Sequence, residues 1–305
     1  MKTTQPLKDS AGSPMADAWT ELRTHAEQGD PLQAQAYRLA FADPEFLLRR
    51  DTRGIRFQLE LLKPDLDLQQ AGIEKTVVVY GSARCVSPQQ ARQELAAARA
   101  SGDAQAQRLA ERAMRNAHHY AAAREFGRLV ARHSLSQPPD KKFYICTGGG
   151  PGVMEAANRG AHDVGVPSIG LNIDLPHEQT ANPYVTRELC FKFHYFALRK
   201  MHFMMRAMAL VAFPGGFGTL DELFEVLTLV QTRKAEKVPI VLFGSDYWRR
   251  LLDWDMLVEE GAIEEEDLAL FRVVDKPDEA WAAIREFYAS ATASKSHPFQ
   301  GLCRA

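Results

Sequence analysis

The sequence has few cysteines, and they form no pattern that binds a metal. The four cysteines in 305 residues stand far apart, at Cys85, Cys146, Cys190 and Cys303. They form no CxxC pair and no Cys/His ligand spacing, which argues against a disulfide framework and predicts reduced thiols. His118 and His119 are adjacent, and adjacent side chains on a helix point about 100° apart and cannot share a metal. The sequence therefore predicts no bound metal and no cofactor.

Long apolar runs and an excess of one charge are also missing. No apolar run approaches the ~20 residues needed to span a bilayer, and the first 15 residues lack the apolar core of a signal peptide. The formal net charge of -2 and the pI near 6.5 argue against a general nucleic-acid binder. We therefore expect a soluble, cytoplasmic protein with neither nucleic acid nor membrane as a partner.

Composition and periodicity divide the chain into three parts. The pattern predicts a helical extension over 1–70 with its first 15 or so residues disordered, a nucleotide-binding catalytic domain over 71–292, and a tail over 293–305. Four arginines of the extension stand near Asp51, namely Arg49, Arg50, Arg53 and Arg56. A solvated or ion-paired surface is favoured for them over a contact to a phosphate or a partner subunit.

The catalytic part alternates between strand and helix patterns. Apolar runs predict buried strands at Thr76–Tyr80, Phe143–Thr147, Ser168–Asn172, Glu188–Phe193, Ala209–Phe213 and Pro239–Phe243, with an edge strand at 272–274. Helical spacing predicts two helices over 88–133, broken at 101–103, and further helices over 153–164, 197–208, 223–230, 246–259 and 277–289. This alternation predicts an α/β fold, a doubly wound Rossmann-like parallel sheet with helices on both faces.

Three turns of glycine and small residues each follow a predicted strand. They are Gly81-Ser82, Gly148–Gly152 and Gly215–Gly218. In a doubly wound sheet such turns share one edge, where ligands bind. None has the GxGxxG form with an acidic residue about 20 positions on, and GxxxxGK[ST] is absent, so a mononucleotide fits better than a dinucleotide or an ATP-hydrolysing P-loop. Tight turns without a ligand remain the alternative.

The third turn, Pro214–Glu222, runs directly into a helix. Free amides and the helix dipole at such a point favour a phosphate. We expect Thr219 to cap this helix, and the spacing also allows Glu222 to be its capping-box partner instead of a catalytic group. Arg199 and Lys200 lie in the first turns of the preceding helix, where a surface ion pair is the alternative to a functional role.

Two motifs together resemble the signature of the LOG ("lonely guy") proteins. They are Gly148-Gly-Gly-Pro-Gly-Val-Met-Glu-Ala-Ala157 and Pro214-Gly-Gly-Phe-Gly-Thr-Leu-Asp-Glu222, and the resemblance covers roughly residues 75–252. LOG proteins, often mislabelled lysine decarboxylases, are Rossmann-like enzymes and typically homodimers. They hydrolyse the N-glycosidic bond of a nucleoside 5′-monophosphate to free base and ribose 5-phosphate. The resemblance implies an AMP-like or cytokinin nucleotide as substrate and a homodimer or higher homo-oligomer.

The resemblance also implies which residues form the site. Arg199 and Glu222 match the catalytic pair of the family, while Phe196-Ala197 replaces a Met-His pair next to that arginine. The implied substrate-binding residues are Gly81, Ser82, Thr147, Gly148, Gly149, Lys200, Gly215, Gly216, Gly218 and Thr219. A carboxylate can stabilise oxocarbenium charge or activate water. A guanidinium is too basic to be an efficient proton donor, so the arginine is expected to position and stabilise.

Two further hypotheses remain open at the level of the sequence. A non-catalytic nucleotide or cofactor carrier could use the same fold, because a fold alone does not define a function. The N-terminal extension could also gate or regulate the site, in which case removal of residues 1–70 would change the rate or the oligomeric state.

Overall fold

The computed structural model describes residues 34–175 and 180–293, together with Thr20, Arg23, Thr24 and Glu27. It divides into two units, of which one ends at Leu62 and the other begins at Lys63. This division falls inside a helix, shortly before the boundary that we predict after residue 70. The predicted disordered start and nearly all of the predicted tail lie outside the described residues.

The described part of the larger unit contains one parallel sheet of seven strands. The strands are β1 Thr76–Tyr80, β2 Tyr144–Thr147, β3 Ile169–Ile173, β4 Cys190–Phe193, β5 Ala207–Ala212, β6 Ile240–Phe243 and β7 Phe271–Val274. They pair in the order β4-β3-β2-β1-β5-β6-β7, and every pair is parallel. Every residue of β1, β3, β5 and β6 is buried, as expected for strands in a sheet that is covered on both faces. The predicted α/β fold is confirmed.

Helices flank this sheet and also form the smaller unit. They are α1 Pro44–Leu48, α2 Arg53–Gln70, α3 Pro88–Ser101, α4 Ala104–Leu135, α5 Val153–His162, α6 Phe196–Met205, α7 Phe217–Gln231, α8 Ser245–Leu251, α9 Trp254–Glu259 and α10 Pro277–Ala293. The predicted break near residue 102 is confirmed. Gly102 adopts a left-handed conformation there (φ 70°), and the Asp103 carboxylate accepts hydrogen bonds from the Gln105 and Ala106 amides at the start of α4.

Two predicted helices extend past a break or an end in the structure. The single helix predicted over 246–259 is wrong, because Leu252 is extended and the Asp253 carboxylate caps a second helix by accepting from the Met256 amide at 3.1 Å. The helix predicted to reach residue 208 ends at Met205, since the chain enters β5 at Ala207. Both errors come from an apolar pattern that continues across a break in the backbone.

The long helix α4 packs against α3, α5 and α10. Its contact with α5 is close because glycines face backbone carbonyls: a Cβ at Gly127 would collide with the Ala157 carbonyl, and one at Gly160 with the Arg124 carbonyl. Phe126 and Val130 of α4 are fully buried in the main hydrophobic core. This packing fixes α5, whose first residue borders the site described below.

The smaller unit is held by short-range polar contacts. Asp43 caps α1, accepting from the Glu45 amide at 3.0 Å. The Thr52 hydroxyl donates to carbonyl groups of the preceding turn. Arg49 and Asp51 form an exposed ion pair at 3.3 Å, so the predicted ion-paired surface is confirmed for these two residues. None of the helices in the described part of the chain is long and apolar enough to cross a membrane.

The strand order reverses direction at β1. The strands β2, β3 and β4 follow one another on one side of β1. The strands β5, β6 and β7 lie on its other side. The loops after β1 and β5 therefore leave the sheet on opposite sides, which opens a crevice at their carboxyl ends. In open α/β sheets this switch point is where ligands bind.

Candidate active site

The three glycine turns meet at the switch point, as predicted. The Ser82 amide donates to the Pro214 carbonyl at 3.0 Å, and the Val153 amide donates to the Ser82 carbonyl at 3.0 Å. The turn after β1 is thus hydrogen-bonded to both of the others. A side chain at Gly152, whose φ is 74°, would collide with the Ser82 carbonyl, so the turns can approach only because this position is glycine.

A cleft of about 760 Å³ opens at this edge of the sheet. Nine of the sequence-predicted site residues line it: Gly81, Ser82, Gly148, Arg199, Gly215, Gly216, Gly218, Thr219 and Glu222. Sequence reasoning missed other lining residues, among them Tyr80, Phe196, Phe217 and Tyr247. The sequence could have identified Tyr80 as a lining residue, because it is the last residue of the first strand of the sheet and ligands bind at the carboxyl ends of such strands.

Arg199 and Glu222 form a buried ion pair in the wall of the cleft. Arg199 Nη2 lies 2.8 Å from Glu222 Oε1, and the two side chains are 14% and 6% exposed. The rings of Phe196 and Phe203 lie 5.6 and 5.4 Å from the guanidinium carbon. Helix α6 supplies the arginine and helix α7 the glutamate, so residues 23 positions apart meet across the crevice. The surface ion pair considered for Arg199 is therefore wrong, since this pair is buried.

Burial of Glu222 changes its acidity. Desolvation raises the pKa of this carboxyl and outweighs the opposing effect of the Arg199 guanidinium. The next charge along the helix, Glu225, also raises it, whereas Lys200 lowers it. A carboxyl with a raised pKa is a better proton acceptor once ionised, which suits a general base.

Two buried donors beside this pair have no acceptor among the described residues. They are the Tyr80 hydroxyl and Nε of Arg199. Burial and the neighbouring charge of Glu222 raise the pKa of Tyr80, so its phenol stays protonated. Buried polar groups are normally hydrogen-bonded, and exceptions concentrate at functional sites.

Helix α7 begins earlier than predicted and is not capped by Thr219. Gly216 occupies the N-cap position and provides no side-chain hydrogen bond, so the expected Thr219 cap is wrong. The Thr219 side chain packs against the turn, where a Cβ at Gly215 would collide with its hydroxyl. Amides in the first turn, such as those of Phe217 and Gly218, have no carbonyl of the helix to bond. The capping-box alternative for Glu222 fails as well, because its partner is Arg199.

Lys200 does not line the cleft. Its ammonium lies 2.8 Å from Asp221 and 3.1 Å from Glu225 on α7. Burial lowers its pKa, but the hydrogen bonds to these two carboxylates outweigh that effect and leave the pKa raised. In the structure Lys200 thus ties α6 to α7 close to the catalytic candidates.

Thr147 and Gly149 also lie outside the cleft lining, in a buried polar network below the second turn. The Thr147 hydroxyl donates to Asn158 at 2.7 Å and accepts from the Gly149 amide at 2.9 Å. Asn182 donates to the Gly150 carbonyl and to Asn158, both at 3.0 Å. This network holds the turn rigidly, and sequence reasoning missed both asparagines because nothing in their spacing marks them.

The structure offers no obvious metal centre in the part of the chain it describes. No group of three or more His, Cys, Asp and Glu side chains is placed to hold an ion within those residues. Cys85, Cys146 and Cys190 are free, and burial raises the pKa of Cys85 to about 11. Such a thiol is unreactive at neutral pH. Cys303 lies outside the described residues.

The fold and the position of the cleft define an α/β protein of the Rossmann type, and sequence comparison adds its relatives. A family model described as "Possible lysine decarboxylase" matches residues 154–284. A probable cytokinin riboside 5′-monophosphate phosphoribohydrolase of Oryza sativa subsp. japonica is 29% identical over 174 residues, which are 54% of this chain and 69% of that protein. The chain is thus similar over part of its length to LOG proteins, which confirms the resemblance of its motifs.

Other relatives carry the same description. Cytokinin riboside 5′-monophosphate phosphoribohydrolase LOG3 of Arabidopsis thaliana is 35% identical over 120 residues, or 38% of this chain and 54% of that protein. The enzyme of that name from Rhodococcoides fascians is 29% identical over 147 residues, or 47% of this chain and 67% of that protein. The match therefore spans only about half the length of the Arabidopsis relative.

Solved structures give weaker similarities. The Moco carrier protein from Chlamydomonas reinhardtii has a TM-score of 0.42 and 20% identity, with 71% of this chain and 99% of that chain covered. The molybdenum cofactor binding protein from Rippkaea orientalis has a TM-score of 0.42 and 16% identity, with 72% and 98% covered. Similarity at this level does not bear on function.

Proposed function

We propose that the protein hydrolyses the N-glycosidic bond of a nucleoside 5′-monophosphate and releases a free base and ribose 5-phosphate. The observation that carries this proposal is the buried pair of Arg199 and Glu222 in the wall of the switch-point cleft. A carrier has no need of a carboxylate with a raised pKa beside its ligand. The relatives described as phosphoribohydrolases support the same reaction class.

The phosphate has a suitable place at the start of α7. The first-turn amides of Phe217 and Gly218 have no carbonyl of the helix to bond, and both residues line the cleft together with Thr219. The positive end of the helix dipole adds to the attraction for an anion. A phosphate held there places the ribose of a mononucleotide on the side of Glu222, which lies one turn further along the same helix.

The chemistry follows from the charges in the cleft wall. As the bond between base and C1′ lengthens, positive charge develops on the sugar, and the Glu222 carboxylate stabilises it and accepts a proton from the attacking water. The departing base gathers negative charge, which the Arg199 guanidinium stabilises by hydrogen bonding and electrostatics while remaining protonated. The base nitrogen takes up a proton from solvent water, and Glu222 releases its proton to solvent, which completes the hydrolysis. No metal is required for this scheme.

Aromatic side chains at the rim suit a planar base. Phe217 is 92% exposed and Phe196 is 50% exposed, and both line the cleft. Exposed aromatic rings in a cavity provide stacking surface that a purine can cover. Phe196 stands beside the catalytic candidate Arg199, so we propose that it influences which base is accepted.

The test is base release from a panel of 5′-monophosphates by the wild type and by Glu222→Gln. The panel contains AMP, GMP, CMP, UMP and a prenylated AMP. We expect Glu222→Gln to lower the rate by at least about 100-fold, because the amide can neither accept the proton nor stabilise the charge. Glu259→Gln is the control, since Glu259 is exposed at the end of α9 and does not line the cleft.

A different result would favour the carrier hypothesis. If the wild type binds a nucleotide tightly and returns it intact, the proposed hydrolysis is wrong. The homodimer that the resemblance implies remains a prediction, which light scattering coupled to gel filtration can test on the same preparation.

A further inference from the structure

A second cavity adjoins the cleft on the other side of the turn after β5. Its volume is about 590 Å³, and it shares the wall residues Ser82, Arg84, Gly215 and Tyr247 with the cleft. The Tyr247 hydroxyl donates to the Gly215 carbonyl and thereby closes part of the wall between the two spaces. We call this space the arginine cavity, because residues from the β1 turn, α4 and α8 give it four arginines: Arg84, Arg112, Arg115 and Arg250.

Positive charge in the arginine cavity is only partly compensated. Among the described residues, Arg84, Arg112 and Arg115 have no carboxylate within ion-pair distance, whereas Arg250 pairs with Asp246 at 3.5 Å in an exposed contact. The other acidic residue of the lining, Asp275, already accepts hydrogen bonds from the amide and hydroxyl of Ser245, both at 2.8 Å. The lining therefore carries four arginines against two carboxylates, and three of these arginines form no ion pair among the described residues.

A half-buried histidine also lines the arginine cavity. His119 lines the cavity, and its Nδ1 is buried without a partner among the described residues. Burial, together with the neighbouring His118, lowers the pKa of His119 to about 4, so the ring is neutral at physiological pH and can donate one N–H. Guanidinium groups bind phosphate oxygens with two parallel hydrogen bonds, which makes several converging arginines typical of phosphate recognition.

We propose that the arginine cavity binds a phosphate group in addition to the one held at the start of α7. The cavity lies next to the proposed 5′-phosphate position but behind the Gly215 turn, and α4 supplies arginines that the cleft lacks. Two sources of the phosphate share this chemistry. It belongs either to a separate inorganic phosphate compound or to an additional phosphate of the nucleotide in the cleft.

The experiment compares four full-length proteins by isothermal titration calorimetry with inorganic pyrophosphate, with ADP and with AMP. They are the wild type, R112Q/R115Q, R112K/R115K, and the control R99Q/R108Q, which removes the same charge from exposed positions outside the cavity. We expect R112Q/R115Q to lose at least about tenfold in affinity for pyrophosphate or for ADP, since charge-assisted hydrogen bonds are lost. The control should stay within about twofold of the wild type, and R112K/R115K should recover part of the affinity.

The ligand that is affected identifies the source. A loss confined to pyrophosphate shows a separate phosphate compound, while a loss for ADP with unchanged binding of AMP shows an additional phosphate of the nucleotide. The proposal is overturned if R112Q/R115Q binds both pyrophosphate and ADP as the control does, or if the wild type binds neither. Pyrophosphate has no glycosidic bond, and the ADP and AMP titrations are repeated with Glu222→Gln added to each protein, so these outcomes do not depend on whether the protein hydrolyses nucleotides. Circular dichroism checks that each variant is folded.

Discussion

Tyr80 places a buried hydroxyl beside the two charged groups of the cleft without giving it an acceptor. The residue ends β1 and its ring packs edge-on against Phe203 at 5.3 Å. An unsatisfied buried hydroxyl costs roughly 1–3 kcal/mol of stability. Because the Tyr80 hydroxyl lies at the switch point, we infer that it donates to an acceptor when a ligand or water is present.

Tyr80→Phe should therefore not destabilise the protein. Removing a hydroxyl that has no acceptor removes its desolvation penalty and keeps the ring packing, so the free energy of unfolding should stay equal or rise by up to about 1 kcal/mol. Urea denaturation of the ligand-free protein measures this. A decrease of about 1 kcal/mol or more would show that the hydroxyl has a stabilising partner after all.

At the scale of single elements, charges on α6 and α7 surround Glu222. Lys200 lowers the pKa of this carboxyl, whereas Glu225, one turn further along α7, raises it. The proposed reaction needs the carboxylate, so the rate falls as the pH drops through the pKa of Glu222. Because that pKa is raised, the acidic limb of kcat/KM should lie above the range of an ordinary glutamate.

Neutralising the two neighbours should move that limb in opposite directions. Lys200→Gln removes a positive charge, raises the pKa of Glu222 further and shifts the acidic limb to higher pH. Glu225→Gln removes a negative charge and shifts it to lower pH. The measurement is the pH profile of kcat/KM for both variants and the wild type. Shifts in the same direction, or none in either variant, would mean that Glu222 is not the titrating group.

The contact between α4 and α5 carries a second electrostatic prediction. Asp163, just after α5, accepts from Arg124 at 2.7 and 2.9 Å and from Arg128 at 2.8 Å. The hydrogen bonds from Arg124 are the main reason that the pKa of Asp163 falls to about 2 from its ordinary 3.8. A depressed folded-state pKa gives stability that is present above pH 4 and is lost as the pH falls towards 2.

Asp163→Asn should lower the free energy of unfolding at pH 7 by about 1 kcal/mol, because solvent screening at this exposed position reduces the effect of the pKa shift. The difference from the wild type should shrink between pH 4 and pH 2, because the wild-type carboxylate is protonated over that window. Denaturant unfolding at several pH values measures it, with Asp246→Asn as the control, since Asp246 makes an exposed pair of little weight. A pH-independent difference would point to lost packing instead of lost charge.

Strands and turns could be predicted from the sequence because their signals are local. A buried parallel strand is a short apolar run such as Thr76–Tyr80, and a glycine turn at its end is visible in the letters themselves. Helix boundaries were less predictable. The start of α7 at Phe217 depends on backbone conformation around Gly216, and the break between α8 and α9 depends on a single cap at Asp253.

At the scale of the whole molecule, the site is a product of topology. The sheet order brings the loops after β1, β2 and β5 to one edge, and α6, which connects β4 to β5, brings Arg199 against Glu222 there. From residue spacing alone, Arg199 and Glu222 could each have a structural or a functional role. The family resemblance favours the functional role for both. The network of Asn158 and Asn182 and the unpartnered Tyr80 hydroxyl depend on long-range contacts, so only the structure could reveal them.

The most direct test of the central claim is the product balance of one reaction. The wild-type protein is incubated with AMP and with any monophosphate that it binds, and free base, ribose 5-phosphate and remaining nucleotide are quantified together. We predict that base and ribose 5-phosphate appear in equal amounts while the nucleotide disappears at the same rate. Full recovery of a nucleotide that calorimetry shows to be bound would contradict the proposed hydrolysis.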